Sequence, residues 1–92
     1  PKSPAILRDI SLVVDEDMAV GDIQKVIMAA GGDLLKSADL FDIYRGPQVG
    51  EGKKSVAFAL VYRHDDKTLT DEEVDKILKA LKEQLDVNLR DI

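Results

Sequence analysis

Cysteine and tryptophan are both missing from this 92-residue chain, and histidine occurs once, at His64. Without cysteine there is no disulfide framework, no thiolate metal site and no cysteine nucleophile. The composition is that of a protein in a reducing compartment, and a cytoplasmic location is expected. A single histidine, with no second ligand and no serine at a suggestive spacing, gives no catalytic or metal constellation. We therefore expect no catalytic residue and no metal ligand in this chain. No apolar run approaches the ~18 residues of a membrane span, and no signal-peptide pattern opens the sequence. Positive charge is also in deficit: 13 Lys and Arg stand against 18 Asp and Glu, a formal net charge of −5. That balance argues against a domain that grips nucleic acid unaided, which needs a basic footprint. The chain opens on Pro1 and not on Met, as a piece of a longer protein would. A PxxP-like lead-in at Pro1 and Pro4 reads as a linker end.

The hydrophobic fraction of 45% and charged fraction of 34% are those of an ordinary globular domain. Ninety-two residues make one domain with one small core and no room for a deep cavity as well. With only two Phe and two Tyr, the position of each aromatic carries information. All four fall in residues 40–63, LFDIYRGPQVGEGKKSVAFALVYR, which reads as two strands joined by a glycine-rich loop. Phe41 and Ile43 alternate with Asp42 and Tyr44. Val56, Phe58, Leu60 and Tyr62 alternate with Ser55, Ala57, Ala59, Val61 and Arg63. If the large-residue faces coincide, the opposite face carries Asp42, Tyr44, Ser55 and two alanines. That is a shallow polar floor with one aromatic ring on it.

The loop GPQVGEGKK invites comparison with a phosphate-binding loop. The pattern G-x-x-x-x-G-K-[ST] needs Gly at 47 and Ser or Thr at 54, where this chain has Pro47 and Lys54. Such a loop also leads from a strand into a helix, whereas both flanks here read as strands. Lys53 and Lys54 are left either as the solvated tip of a hairpin or as plain charges that attract phosphate. The acidic run Asp15-Glu16-Asp17 lacks the glycine and distal glutamate of a calcium loop and reads as a turn.

Residues 5–14 form a first strand, in which Ile10, Leu12 and Val14 alternate with Asp9, Ser11 and Val13. Asp17 is placed to cap a helix whose apolar stripe is Val20, Ile23, Val26, Ile27 and Ala30. Gly31 and Gly32 end that helix. A second helix starts at Thr70, which pairs with Glu73 in a capping box, flanked by the hydrophobic staple Leu69 and Val74. Its stripe is Val74, Ile77, Leu78, Leu81 and Leu85. Residues 87–92 read as a short last strand with Leu89 inward and Asn88 and Arg90 outward.

The order β-α-β-β-α-β predicts an α+β fold of ferredoxin-like type: a four-stranded antiparallel sheet, strand order 4-1-3-2, with two helices on one face. The other sheet face stays open. It collects Asp9, Ser11, Val13, Asp42, Tyr44, Ser55, Ala57, Asn88 and Arg90.

Several segments go further. RDISLVV at residues 8–14, LFDIYRG at 40–46, GEGKKSVAF at 50–58 and TLTDEEV at 68–74 occur in an order and spacing that resembles the ferredoxin-fold anticodon-binding domain. That domain ends the β subunit of bacterial phenylalanyl-tRNA synthetases. The resemblance covers essentially the whole chain, and Leu89-Arg90 matches the family's end. It implies a parent enzyme that charges tRNA using ATP and Mg²⁺, built as an α₂β₂ heterotetramer with catalysis in the α subunit. This fragment would have no cofactor of its own. Its partners would be the tRNA-Phe anticodon loop, the α subunit and the rest of the β subunit, with no membrane.

By position within the matching motifs, the resemblance implies Asp42, Tyr44 and Ser55 as readers of the first anticodon base. Arg90 is a further candidate from the last strand. The chemistry of these side chains suits the task. Exposed bases are read by stacking on aromatic planes and by hydrogen bonds to their edges. A carboxylate accepts from the N1–H and N2–H₂ edge of guanine, which adenine cannot offer, and a serine can donate or accept beside it. From spacing alone, Tyr44 can equally cover the sheet, and Asp42 can pair with a lysine. Two other functions share the topology: a small-molecule regulatory domain of the ACT type, and a protein-interaction module. An acylphosphatase is excluded because its anion-binding loop would fall on DEDMAV, which has neither arginine nor asparagine. A CxxC metal chaperone is excluded by the absence of cysteine.

Overall fold

The computed structural model describes residues 3–90. Three strands and two helices follow in the order β1 (Ile6–Asp15), α1 (Val20–Gly31), β2 (Leu35–Tyr44), β3 (Lys53–Tyr62) and α2 (Asp71–Arg90). The strands make one antiparallel sheet with the order β1-β3-β2. This is the 1-3-2 portion of the expected order. β3 is central because both of its faces and both of its edges suit burial. Val56, Phe58, Leu60 and Tyr62 are fully buried on one side, and the small residues Ser55, Ala57 and Ala59 alternate with them.

Both helices lie on the face that carries those large residues. A single core joins Ile10 and Val14 of β1, Leu35 and Ala38 of β2, and the four large residues of β3. Against them pack Ile23 and Ile27 of α1, and Val74, Leu78, Leu81 and Leu85 of α2. No residue from the opposite face enters that core. α1 sits over β2 and α2 over β1. Arg8 ties β1 to the start of α2, donating to Asp71 at 3.0 Å and to Asp75 at 3.2 Å.

The sequence places a fourth strand at residues 87–92, and the structure corrects this. α2 runs on through Arg90. The reason is local. No Gly or Pro follows Leu69 in the chain, so nothing stops the helix. Leu89 continues the stripe of Leu81 and Leu85 and packs on the core. Gln84 donates to Asn88 at 2.9 Å, one turn on. The side chain of Arg90, and Asp91 and Ile92, lie outside the described residues. Two smaller corrections concern local signals. The residue preceding α1 is Ala19, with no side-chain cap. Asp17 does not act there, because the turn closes earlier, with the Met18 N–H donating to the Asp15 carbonyl at 3.0 Å. In β2 the register shifts between Leu40 and Asp42. Leu40, opposite Phe58, takes the core-side position assigned to Phe41, and the bulged Phe41 is 58% exposed.

The start of α2 forms as expected. The Glu73 N–H donates to Thr70 Oγ1 at 3.1 Å, and the Thr70 N–H donates back to Glu73 Oε1 at 3.2 Å. Leu69 and Val74, the two staple positions, are both buried. The hydrogen bond from the Thr70 backbone, then those from Lys67 and the Thr70 hydroxyl, hold the Glu73 carboxyl below its ordinary value of 4.5. A depressed carboxylate stabilises the fold above the unfolded-state value, and that contribution is lost as pH falls through the folded-state value. The stability gap between the wild type and Glu73→Ala, read from urea denaturation, should therefore be flat near neutrality and narrow below pH 4.5.

Candidate nucleic-acid interface

The face opposite the helices is built in rows across three strands. Val13 of β1 pairs with Ser55 of β3, which pairs with Tyr44 of β2. The next row is Ser11, Ala57 and Asp42, and the third is Asp9, Ala59 and Asp39. Neighbouring strands are about 4.8 Å apart and same-face neighbours along a strand about 6.8 Å. Tyr44, Ser55 and Asp42 therefore stand within one base's reach of each other. The bulge at Phe41 does not disturb this, because the pairing resumes with Asp42 opposite Ala57.

The centre of the floor is low because its residues are small. Ser55 is half-buried and Ala57 buried between their neighbours. Tyr44 rises at one end and is 43% exposed. Its hydroxyl donates to Gln48 Oε1 in the loop beyond. Asp42 is exposed and has no hydrogen bond or ion pair among the described residues, so its carboxylate is available to a ligand. No lysine among the described residues pairs with it.

The two lysines of the loop part company. Lys53 is exposed, opposite Asp15 on the open side, and its ammonium pairs with the Asp15 carboxylate. Lys54 lies opposite Val14 on the helix side and is only 6% exposed. Its side chain has no hydrogen bond or ion pair among the described residues. The structure thus brings Asp42, Tyr44, Ser55 and Lys53 to one face and sends Lys54 to the other. Gln48 was missed by sequence reasoning. It lies in an aperiodic loop, and nothing in its spacing marks it as a partner of Tyr44.

The open face is acidic away from Lys53, with Asp9, Asp39 and Asp42 all exposed. Among the described residues, no group of three or more His, Asp or Glu side chains is placed to hold a metal ion. No helix among them is long and apolar enough to cross a membrane.

With this geometry in place, comparison with known proteins is informative. Residues 1–90 match the profile of the ferredoxin-fold anticodon binding domain. The chain belongs to this family. It is 51% identical, over 98% of its own length, to the phenylalanine–tRNA ligase beta subunit of Clostridium acetobutylicum. It is 48% identical over the same share to that of Bacillus subtilis. It is 52% identical over 89% of its length to that of a Synechococcus species. The anticodon-binding chain spans about 12% of the first two of these relatives and 10% of the third.

The Lys54 stem packs on the helix side, while its ammonium is not among the buried unpaired polar atoms of the described residues and reaches solvent. Lys54→Met keeps the stem, so its urea midpoint should stay close to that of the wild type, whereas Lys54→Ala, which removes the packing of the stem, should lower it. Phe58→Ala, at a fully buried neighbour on the same strand, should cost about 3–5 kcal/mol.

Proposed function

We propose that this domain recognises the anticodon loop of tRNA-Phe through its open sheet face, as part of a phenylalanine–tRNA ligase β subunit. The observation that carries the reading is the adjacency of Tyr44, Ser55 and Asp42 in neighbouring rows around a floor of small residues. Tyr44 supplies a plane for stacking, worth about 1–3 kcal/mol per base. Asp42 accepts from the N1–H and N2–H₂ groups of guanine at the first anticodon position. Ser55 donates or accepts beside it. Ala57, opposite Asp42, lets the base edge approach without a side chain in the way.

Lys53 attracts the phosphate backbone, in competition with Asp15. Lys54 lies on the helix side of the sheet, away from this face, and Arg90 keeps its place in the proposal only through its position in the family's final Leu-Arg. The exposed carboxylates make the face a reader of base edges more than a gripper of phosphates, and the domain adds specificity to affinity supplied elsewhere. A parent α₂β₂ enzyme would provide that affinity by holding the rest of the tRNA, so that anticodon contact becomes intramolecular. ATP and Mg²⁺ would bind in that parent, away from this domain. The cytoplasmic location follows from the same reading.

The four-stranded order 4-1-3-2 also belongs to this reading. β1 has its outer edge unpaired among the described residues. A fourth strand would have to pair at that edge, and residues 87–90 do not supply it because they belong to α2. The match along residues 1–90 favours anticodon recognition over a small-molecule regulatory domain or a protein-interaction module.

In the assembled ligase, Tyr44→Ala should raise KM for tRNA-Phe by roughly 5-fold to 100-fold, the equivalent of one lost stacking contact. ATP–pyrophosphate exchange with phenylalanine should stay within about twofold of wild type, since that step needs no tRNA. Unchanged tRNA kinetics would remove Tyr44 from the interface.

A further inference from the structure

The loop after β2 has a feature that periodicity cannot explain. The Tyr44 ring does not stand free on the floor. Its hydroxyl donates to Gln48 Oε1, and its ring lies against the backbone at Gly46. A Cβ at position 46 would sit 2.5 Å from the Tyr44 hydroxyl oxygen and 2.8 Å from Cζ. Only glycine permits that approach. Both contacts act on the hydroxyl end of the ring, one by a hydrogen bond and one by close packing against the Gly46 backbone.

The loop that makes these contacts is itself fixed. The Val49 N–H donates to the Gly46 carbonyl at 3.1 Å and closes a turn around Gln48. The Glu16 N–H donates to the Gly52 carbonyl at 2.9 Å, and Arg45 donates to Glu16 at 2.7 Å. The hairpin is thereby anchored to the β1–α1 turn on both sides of Gln48.

We propose that Gln48 and Gly46 are positioning residues that set the plane and height of the Tyr44 ring for the incoming base. This inference rests on the reading of Tyr44 as a base-stacking residue. Stacking strength depends on the ring being held in one orientation before the base arrives, because ordering a free ring on binding costs side-chain entropy. A glutamine whose amide oxygen accepts a hydrogen bond from the phenol holds the ring at its tip.

The test uses two variants that remove the same hydrogen bond from opposite ends, Tyr44→Phe and Gln48→Met. A third, Gln48→Glu, keeps an acceptor oxygen. The probe is an RNA anticodon stem-loop with guanine at the first anticodon position. Contacts between the Tyr44 ring protons and the Gly46 α-protons are followed by NMR in the free protein. We expect Tyr44→Phe and Gln48→Met each to weaken stem-loop binding by roughly threefold to tenfold, the effect of one hydrogen bond. The double variant should be no worse than either single one. The ring-to-Gly46 contact should fade in Gln48→Met and persist in Gln48→Glu. If Gln48→Met keeps the ring contact and wild-type affinity while Tyr44→Ala loses affinity, the positioning role is overturned and the stacking role stands. If Tyr44→Ala binds as well as wild type, the stacking role fails, and the positioning role for base recognition fails with it, whatever the ring contacts show.

Discussion

Everything in this domain depends on β3 being paired along both edges while its two faces differ in size. One face presents Val56, Phe58, Leu60 and Tyr62, all fully buried. The other presents Ser55, Ala57 and Ala59. Because side chains alternate with a period of two, a slip of one residue would expose the large set and bury the small one. At about 1.5–3 kcal/mol per large side chain, the four together are comparable to the whole margin by which a small domain is stable. The core therefore locks the register, and the locked register places Ser55 between Val13 and Tyr44 and Ala57 between Ser11 and Asp42. The arrangement of the open face is a by-product of core packing on the far side of the same strand.

The same constraint explains why the other sheet face stays open. Two amphipathic helices need an apolar surface, and only one side of the sheet offers it. The other side carries small and acidic groups, Tyr44, Lys53 and the exposed aliphatic residues Leu7 and Val13. Such a surface suits contact with flat, hydrogen-bonding rings better than contact with phosphate.

Much of this was legible from residue order. The alternation in β1 and β3, the capping box at Thr70 and the glycine pair after α1 are local signals, and each was realised within a residue or two. The grouping of Asp42, Tyr44 and Ser55 was legible because it needs only strand parity and a hairpin. Four things were not. The bulge at Phe41 sets Leu40 opposite Phe58 although Leu40 stays 37% exposed, a register shift that alternation cannot express. The burial of Lys54 follows from the strand starting two residues earlier than the apolar run suggests, so that parity assigns Lys54 to the helix side. The extension of α2 through Arg90 reflects the absence of a stop signal, outweighing the β-prone Val87. The Tyr44–Gln48 contact lies in a loop, where spacing carries no directional information. Tyr62 adds a case where size decided over polarity: its ring completes the core, and its hydroxyl is buried without a hydrogen-bond partner among the described residues. That burial pushes the phenol up.

The central claim is that the open face reads a base and does not merely attract RNA. The most direct measurement is a low-salt amide-shift titration of the domain with the tRNA-Phe anticodon stem-loop, against a control loop with adenine at the first anticodon position. The account predicts shifts clustered at Asp42, Tyr44 and Ser55 that disappear with the adenine loop. Shifts confined to Lys53 and its neighbours, equal for both loops, would contradict it.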